Sequence, residues 1–210
     1  MNLSQTLQEY FNELSSNSPT PGGGNVAAMC GALSSSLGIM VCNLTIGKKK
    51  YIDVEQEMIS TKDKLIQCQE KFFELGIKDN EAFNKVIDAF KLPKDTDPEK
   101  EIRTMKIEEA TIGAAEVPSS VIAACADILP LLKIIIVKGN KNSLSDAGVA
   151  ASLIGTSAKA AYLNVLINCA SLNNQTIANE LKKKADILMD EISKLSEHLV
   201  IQVEKAVQAQ

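Results

Sequence analysis

The chain has 210 residues, enough for one compact domain, and no stretch in it reads as a linker long enough to divide it. Apolar residues make up 45% but aromatics only 4%, with no Trp, so the core must be built from closely packed Ala, Ile, Leu and Val, which favours helices. A formal charge of −4 gives no electrostatic reason to approach nucleic acid, and a lone histidine, His198, excludes a site of several imidazoles within one chain and argues against a metal enzyme.

Leu3, Leu7, Tyr10, Phe11 and Leu14 recur at helical spacing and predict a short first helix, which stops in the loop-like SSNSPTPGGG. From about residue 25 to 46 comes a segment of small residues in which Ala27, Gly31, Ser35, Gly38 and Cys42 step by four and three. Such a face lets another backbone approach closely. A third helix is expected from about Asp53 to Phe90, ending before Pro93. A fourth begins near Asp97-Pro98 and continues towards Val137, with Pro118 and Pro130 expected as kinks or breaks. KGNKNSLSDAG reads as a turn: Gly139 suits a helix C-cap, and Ser143-x-x-Asp146 resembles a capping box, with Asp where Glu or Gln is usual. A fifth helix carries AGVAASLIGTSAKAAYLNVLINCASL. A sixth, from about Thr176 to the carboxyl end, puts Leu181, Leu188, Ile192, Leu195, Leu199 and Val203 on one stripe. The run LLKIIIV has the composition of a strand, but its length and context argue for helix. The expected fold is all-α, a single-domain antiparallel helical bundle of about six helices, some long and kinked, over residues 1–210.

The five cysteines are widely spaced without a C-x-x-C, and four sit in apolar stretches, so they read as reduced core residues of a cytoplasmic protein. The start MNLSQTLQEYF lacks a basic region and a continuous apolar run, and does not read as a signal peptide. Gly22 to Gly47 is 26 residues without a charge, long enough for a membrane span, with Lys48, Lys49 and Lys50 as a cationic flank. Ser34, Ser35, Ser36, Asn43 and Thr45 interrupt that run, and the mean hydropathy of the chain is only +0.02. A buried helix of a bundle is apolar all round for the same reason as a span, so no membrane is expected.

The glycines invite two further readings. Gly22-x-Gly24-x-x-Ala27 matches a relaxed dinucleotide fingerprint, but NELSSNSPTP cannot be the strand which that motif needs, and no Gly-Lys-Ser/Thr follows to make a P-loop. What remains is a loop leading to a helix start, where the unpaired amides behind Gly22, Gly23 and Gly24 can hold an anionic or carbonyl group. The plain alternative is a turn that lets the chain enter a buried helix.

Among the polar residues, Asp79 stands out because Phe72, Gly76, Asp79, Phe83, Val86 and Phe90 step by four or three, which places an acid on the stripe that should face the core. An acid there is costly unless paired or functional. Asn164 and Asn168 share a face at i,i+4, either as buried amides paired with each other or as readers of a ligand's donor and acceptor edge. Lys48, Lys50 and Arg103 are cations that can meet an anionic ligand, although three adjacent lysines are more often a solvated run. Tyr51 can stack on a ligand or pack in an interface. Asp146 is explained as the cap partner of Ser143, and Asn140 and Asn142 as turn residues.

TPGGGNVAAMCGAL followed by MVCNLTIGKKKY resembles the signature of the carboxyl-terminal domain of formiminotransferase-cyclodeaminase and its stand-alone relatives. DNEAFNKVIDAFKLPKDTDPEK, VKGNKNSLSDAGVA and AYLNVLINCASL agree in the same order, so the resemblance covers nearly the whole chain. Asn25 departs from a position where Ser is common, and Asn80 and Ile87 stand where small residues or Met are expected. The resemblance implies an all-helical homodimer acting on a tetrahydrofolate that carries a one-carbon unit, with no cofactor beyond that substrate. In the cyclodeaminase reaction, nitrogen 10 attacks the formimino carbon on nitrogen 5 and ammonia leaves, giving 5,10-methenyltetrahydrofolate. In the cyclohydrolase alternative, water opens the methenyl ring to 10-formyltetrahydrofolate. A non-catalytic helical interaction protein is the reading from another class. The resemblance further implies that Asp79, in the D-x-x-A-F motif, is the proton acceptor. It places Asp146 and the loop of Asn140 and Asn142 near the ligand; with a folate there, the Asn164 and Asn168 face could read the pterin edge, and one or two of the cations could meet the glutamate tail.

Overall fold

The structure is a computed structural model and describes residues 4–209; Leu3, counted above in the first helix, lies outside the described residues. Helix α1 spans Leu7–Leu14 and opens on a capping box between Thr6 and Glu9. Helix α2 spans Gly23–Thr45, and a 3-10 turn, Lys49–Val54, leads into α3, Glu55–Phe90. Helix α4 spans Asp97–Lys138, with a capping box between Thr96 and Glu99 and Pro98 in its first turn. A second short 3-10 turn, Lys141–Ser143, precedes α5, Leu144–Ala170, and α6 closes the chain at Gln175–Gln208. The expected all-α architecture of six helices is what forms, with no strand among the described residues.

Helix α2 packs between α3 and α5, α4 packs against both α3 and α5, and α6 covers α5 and α4. Hydrogen bonds across the α2–α5 seam fix its antiparallel sense: Ser34 Oγ donates to Ala150 O at 2.8 Å, and Ser157 Oγ to Ala27 O at 2.6 Å. The small-residue stripe of α2 does what its spacing predicts. A Cβ on Gly31 would press into the fully buried ring of Phe72, and one on Gly38 would lie 3.0 Å from Leu65 Cδ1. Around this seam Met58, Leu65, Phe72, Ile122, Ile128, Leu132 and Ile154 are fully buried, and LLKIIIV is helical, inside α4.

Two local expectations are corrected, and a third holds on a different ground. Pro118 and Pro130 do not break α4, which runs as one helix through both. Pro118 has no N–H for the carbonyl of Ala114, four residues earlier, and Asn168 Nδ2 of α5 donates to that oxygen instead, at 2.8 Å. Ser143 makes no side-chain cap on α5, so the capping-box role of Asp146 is absent; Asn140 caps the preceding 3-10 turn by accepting from the N–H of Asn142. Gly139 is the C-cap of α4, but in extended backbone, and a glycine is needed there for close approach, since a Cβ would collide with Ile135 O and lie 3.0 Å from Val41 Cγ1.

By length and composition, α2, α4 and the stretch 141–170 are apolar enough to cross a membrane. In the bundle, 56% of the most apolar window is buried in α2, 56% in α4 and 39% in the third stretch.

Candidate functional site

At the amino-terminal end of α2 the bundle encloses a cavity of about 380 Å³. Gly22, Gly23 and Gly24 form one wall; Asp79, Phe83, Val86 and Phe90 of α3 form the second. Ile107, Thr111 and Ala114 of α4 and Asn164, Ile167 and Asn168 of α5 close it. The stripe on α3 thus changes role along its length: Phe72 is core, whereas Asp79 and the residues after it line a cavity.

Asp79 is half-buried. Burial pushes its carboxyl above the usual carboxylate range, and the backbone N–H of Asn25 pulls it partly back. That N–H belongs to the first turn of α2, whose N-cap, Gly22, has no side chain to satisfy the exposed donors. The Asp79 carboxylate therefore serves α2 from the neighbouring helix. The approach is so close that a Cβ on Gly24 would overlap Oδ1 and sit 2.6 Å from Cγ and 2.9 Å from Oδ2. Gly23 is less constrained: a Cβ there would lie 3.3 Å from Asn164 Nδ2, the end of a side chain that can give by a few tenths of an ångström. At Gly24 a Cβ could enter only by displacing the Asp79 carboxylate.

Asn164 and Asn168 do not pair with each other. Asn164 Nδ2 donates to Ala160 O at 2.9 Å and Asn168 Nδ2 to Ala114 O at 2.8 Å, so each amide is oriented with its NH2 group on a carbonyl. Arg103 is not among the lining residues but holds one of them: its guanidinium donates to Phe90 O at 3.1 and 3.3 Å and lies 5.4 Å from the Phe90 ring.

The other residues singled out in the sequence gather elsewhere. Tyr51 Oη donates to Asn140 Oδ1 at 3.4 Å and accepts from the N–H of Lys141 at 3.0 Å. Asn140 donates from its backbone to Thr45 Oγ1 and from its amide to Leu44 O. Lys50 lies 5.7 Å from the Tyr51 ring, Lys48 is exposed, and Asn142 and Asp146 follow in the next turn and in the start of α5. This cluster sits at the carboxyl-terminal end of α2, one helix length from the glycines, or about 33 Å at 1.5 Å per residue. Within one chain the two groups do not share a cavity.

Larger grooves lie between α5 and α6, about 750 Å³, and between α3 and α4, about 710 Å³. Their charged residues, such as Lys159, Glu197, Lys85 and Glu109, are all exposed, so neither groove holds an ionisable group in the environment that Asp79 occupies. Sequence reasoning did not assign Thr111 or the Phe83, Val86 and Phe90 wall to a site, nor Asn25 to Asp79. The α3 residues were legible as the continuation of the Asp79 stripe; Thr111 carried no signal.

The sequence profile of the formiminotransferase-cyclodeaminase family matches residues 6–187. A methenyltetrahydrofolate cyclohydrolase of Methylorubrum extorquens is 39% identical over 195 residues, 93% of this chain and 94% of that protein. The formimidoyltransferase-cyclodeaminase of Rattus norvegicus is 30% identical over 90% of this chain, which spans only 35% of that longer protein. A crystal structure described as formiminotetrahydrofolate cyclodeaminase from Thermotoga maritima superposes with a TM-score of 0.81 at 32% identity, covering 98% of this chain and 96% of that one. With a match over most of its length and the same helical fold, the chain belongs to the formiminotransferase-cyclodeaminase family.

Proposed function

We propose that this protein is a folate one-carbon enzyme, a formiminotetrahydrofolate cyclodeaminase, with Asp79 as the group that moves protons. The observation that carries the reading is a single half-buried carboxylate, raised in pKa, in a cavity whose other lining residues carry no charge. Such an acid can accept a proton and later return it, whereas an exposed one is a weaker acid–base partner near neutral pH. In the proposed sequence the formimino group reacts as its cation, with the imine nitrogen already protonated: nitrogen 10 attacks the carbon, the carbon–nitrogen π pair moves onto that nitrogen to leave an NH2 amine, and the N10–H proton passes to the Asp79 carboxylate. The resulting tetrahedral carbon is bonded to two ring nitrogens and an amine. Protonation of that amine by Asp79 lets ammonia depart as the carbon–nitrogen bond breaks, and the 5,10-methenyl cation forms beside a carboxylate that has become negative again.

Gly22, Gly23 and Gly24 would offer first-turn amides to the substrate. Asn164 and Asn168, whose NH2 groups are already held, would accept from the pterin edge through Oδ1. Phe83 and Phe90 supply aromatic surface for the aminobenzoate, and Arg103, stacked beside Phe90, a cation for the glutamate. The proposal includes no metal, nucleotide or redox cofactor, because neither folate reaction needs one. The free state of all five cysteines supports the reducing conditions of the cytoplasm.

The proposed assembly is a homodimer across the outer faces of α2 and α5. Leu33, Met40 and Leu44 of α2 and Val149 and Leu163 of α5 are exposed on these adjacent antiparallel helices, an apolar surface suited to a second copy. A two-fold axis perpendicular to α2 would bring the partner's carboxyl-terminal end of α2 towards the glycine end of this one. That would unite Lys48, Lys50, Tyr51, Asn140, Asn142 and Asp146 of one copy with the cavity of the other.

The cyclohydrolase reaction is the second reading, favoured by the 39% identity to a cyclohydrolase of nearly equal length. There Asp79 would take the proton from the attacking water. Methenyltetrahydrofolate has its own near-ultraviolet absorbance, so one cuvette follows its formation from 5-formiminotetrahydrofolate or its loss to water. Asp79→Asn is expected to lower turnover in the active assay by about 10²–10⁴. A folded Asp79→Asn protein with near-normal turnover refutes the reading, and a protein that turns over neither substrate nor binds folinic acid supports the interaction-protein alternative.

A further inference from the structure

Helix α1 is short, and Tyr10 is the one residue of it that is buried. Its hydroxyl donates to Asn25 Oδ1 at 2.9 Å, in the first turn of α2. Asn25 is fully buried, and its amide nitrogen donates to Gly76 O at 2.7 Å and to Asn80 Oδ1 at 3.2 Å. Those two acceptors bracket Asp79, three residues before it and one after it, on the turn of α3 that carries the carboxylate. Asn25 is also the residue whose backbone N–H faces that carboxylate. One residue therefore grips the α3 turn by its side chain and meets the acid by its main chain. Of the three departures from the family pattern, two, Asn25 and Asn80, are bonded to each other.

We propose that Tyr10 and Asn25 are positioning residues for Asp79, a clamp from α1 through α2 that holds the α3 turn so that the carboxylate stays against the amide of Asn25. The inference rests on the proton-transfer role proposed for Asp79. Its physical basis is the sensitivity of proton transfer to placement: an error on the order of 1 Å costs up to about 10²-fold in rate. A helical turn held only by apolar contacts can rotate or slide by such an amount, whereas two hydrogen bonds on either side of Asp79 oppose both movements. Tyr10 is needed because a buried amide oxygen without a donor would pull Asn25 towards another partner. Few ionisable groups surround the acid. Tyr10 faces it from α1 and in turn faces Cys30 and Glu13, while the walls from α4 and α5 contribute Thr111, Asn164 and Asn168, which carry no charge.

The test uses Tyr10→Phe, which keeps the ring and its packing, and Asn25→Ser, which shortens the clamp. Melting temperature, kcat, KM and the pH profile are measured in both folate assays, alone and combined with Asp79→Asn. The expected result is a fall in kcat of about tenfold with KM within about twofold. The acid limb of the kcat profile should move to higher pH, because the loosened carboxylate loses the stabilising N–H of Asn25 and binds its proton more tightly. In the Asp79→Asn background the same substitutions should change turnover by less than about twofold, since the group they position is gone. Unchanged kcat and acid limb in both variants, whatever the melting temperature, overturns the proposal. So does an equal loss with and without Asp79, which is what a structural role produces. If Asp79→Asn alone remains active, the functional reading fails first; if it is inactive while Tyr10→Phe and Asn25→Ser act independently of it, only the clamp fails.

Discussion

Gly24→Ala is expected to separate activity from stability. The added Cβ would overlap Asp79 Oδ1 and lie 2.6 Å from Cγ, where ordinary van der Waals contact begins at 3.4 Å. The carboxylate must retreat by about 1 Å, which is enough to cost turnover about 10²-fold if Asp79 is the proton carrier. Space for the retreat exists, because Asp79 borders a cavity of about 380 Å³. The overpacking cost should then fall near the low end of its range, about 1 kcal/mol, and the replacement of a helical glycine returns about 0.5–1 kcal/mol. The net stability change is close to zero, and the melting temperature should move by less than about 4 °C. Gly31→Ala is the control. Its Cβ would meet the Phe72 ring, with carbons at 2.5 and 2.6 Å and no cavity to absorb the shift, so it should cost about 3 kcal/mol while turnover per folded molecule persists. The assay is the methenyltetrahydrofolate absorbance beside a thermal melt of each variant. A Gly24→Ala protein that melts normally and turns over within about threefold of the parent would refute the claim that the position of Asp79 matters.

Four further outcomes are expected. Asp79→Asn should melt higher than the parent at about pH 7–8: burial raises the folded pKa of Asp79, so stability present below its unfolded pKa is lost as pH rises through the folded one, and an amide never charges. The gap should close on acidification towards about pH 3, and a gap that widens there contradicts the assignment. Asn168→Leu strips Ala114 O of its donor and should cost about 1–3 kcal/mol by chemical denaturation; combining it with Pro118→Ala, which restores a helical N–H for that carbonyl, should recover part of the loss. Thr96→Ala removes the cap of α4 and should cost about 1 kcal/mol without altering KM or kcat. Exhaustive treatment with a chelator should leave turnover unchanged, and loss of activity restored by one added metal would show the site to be of another kind.

Local chemistry in the sequence determined the helices of this protein, because periodicity, caps and turn residues act within a few positions of one another. The small-residue stripe from Ala27 to Cys42 announced a close helix contact, and the register of Phe72, Gly76 and Asp79 announced an acid on an inward face; both follow from 3.6 residues per turn and need no knowledge of the partner. The same arithmetic carries a separation that the motifs concealed: the glycine loop and the Lys48–Tyr51 segment close opposite ends of a 23-residue helix, although their resemblance to one signature had set them beside the same ligand. Only the tertiary structure decided who meets whom across long stretches of chain. Asn168 satisfies the carbonyl that Pro118 leaves unpaired, 54 residues before it, within a helix expected to kink or break at that proline. Asn25 reaches Gly76, 51 residues away, and Asp79 meets the uncapped start of α2. Such pairings depend on the rotation and offset with which whole helices pack, which no local pattern encodes, and they turn an acid in an apolar register into the centre of a cavity.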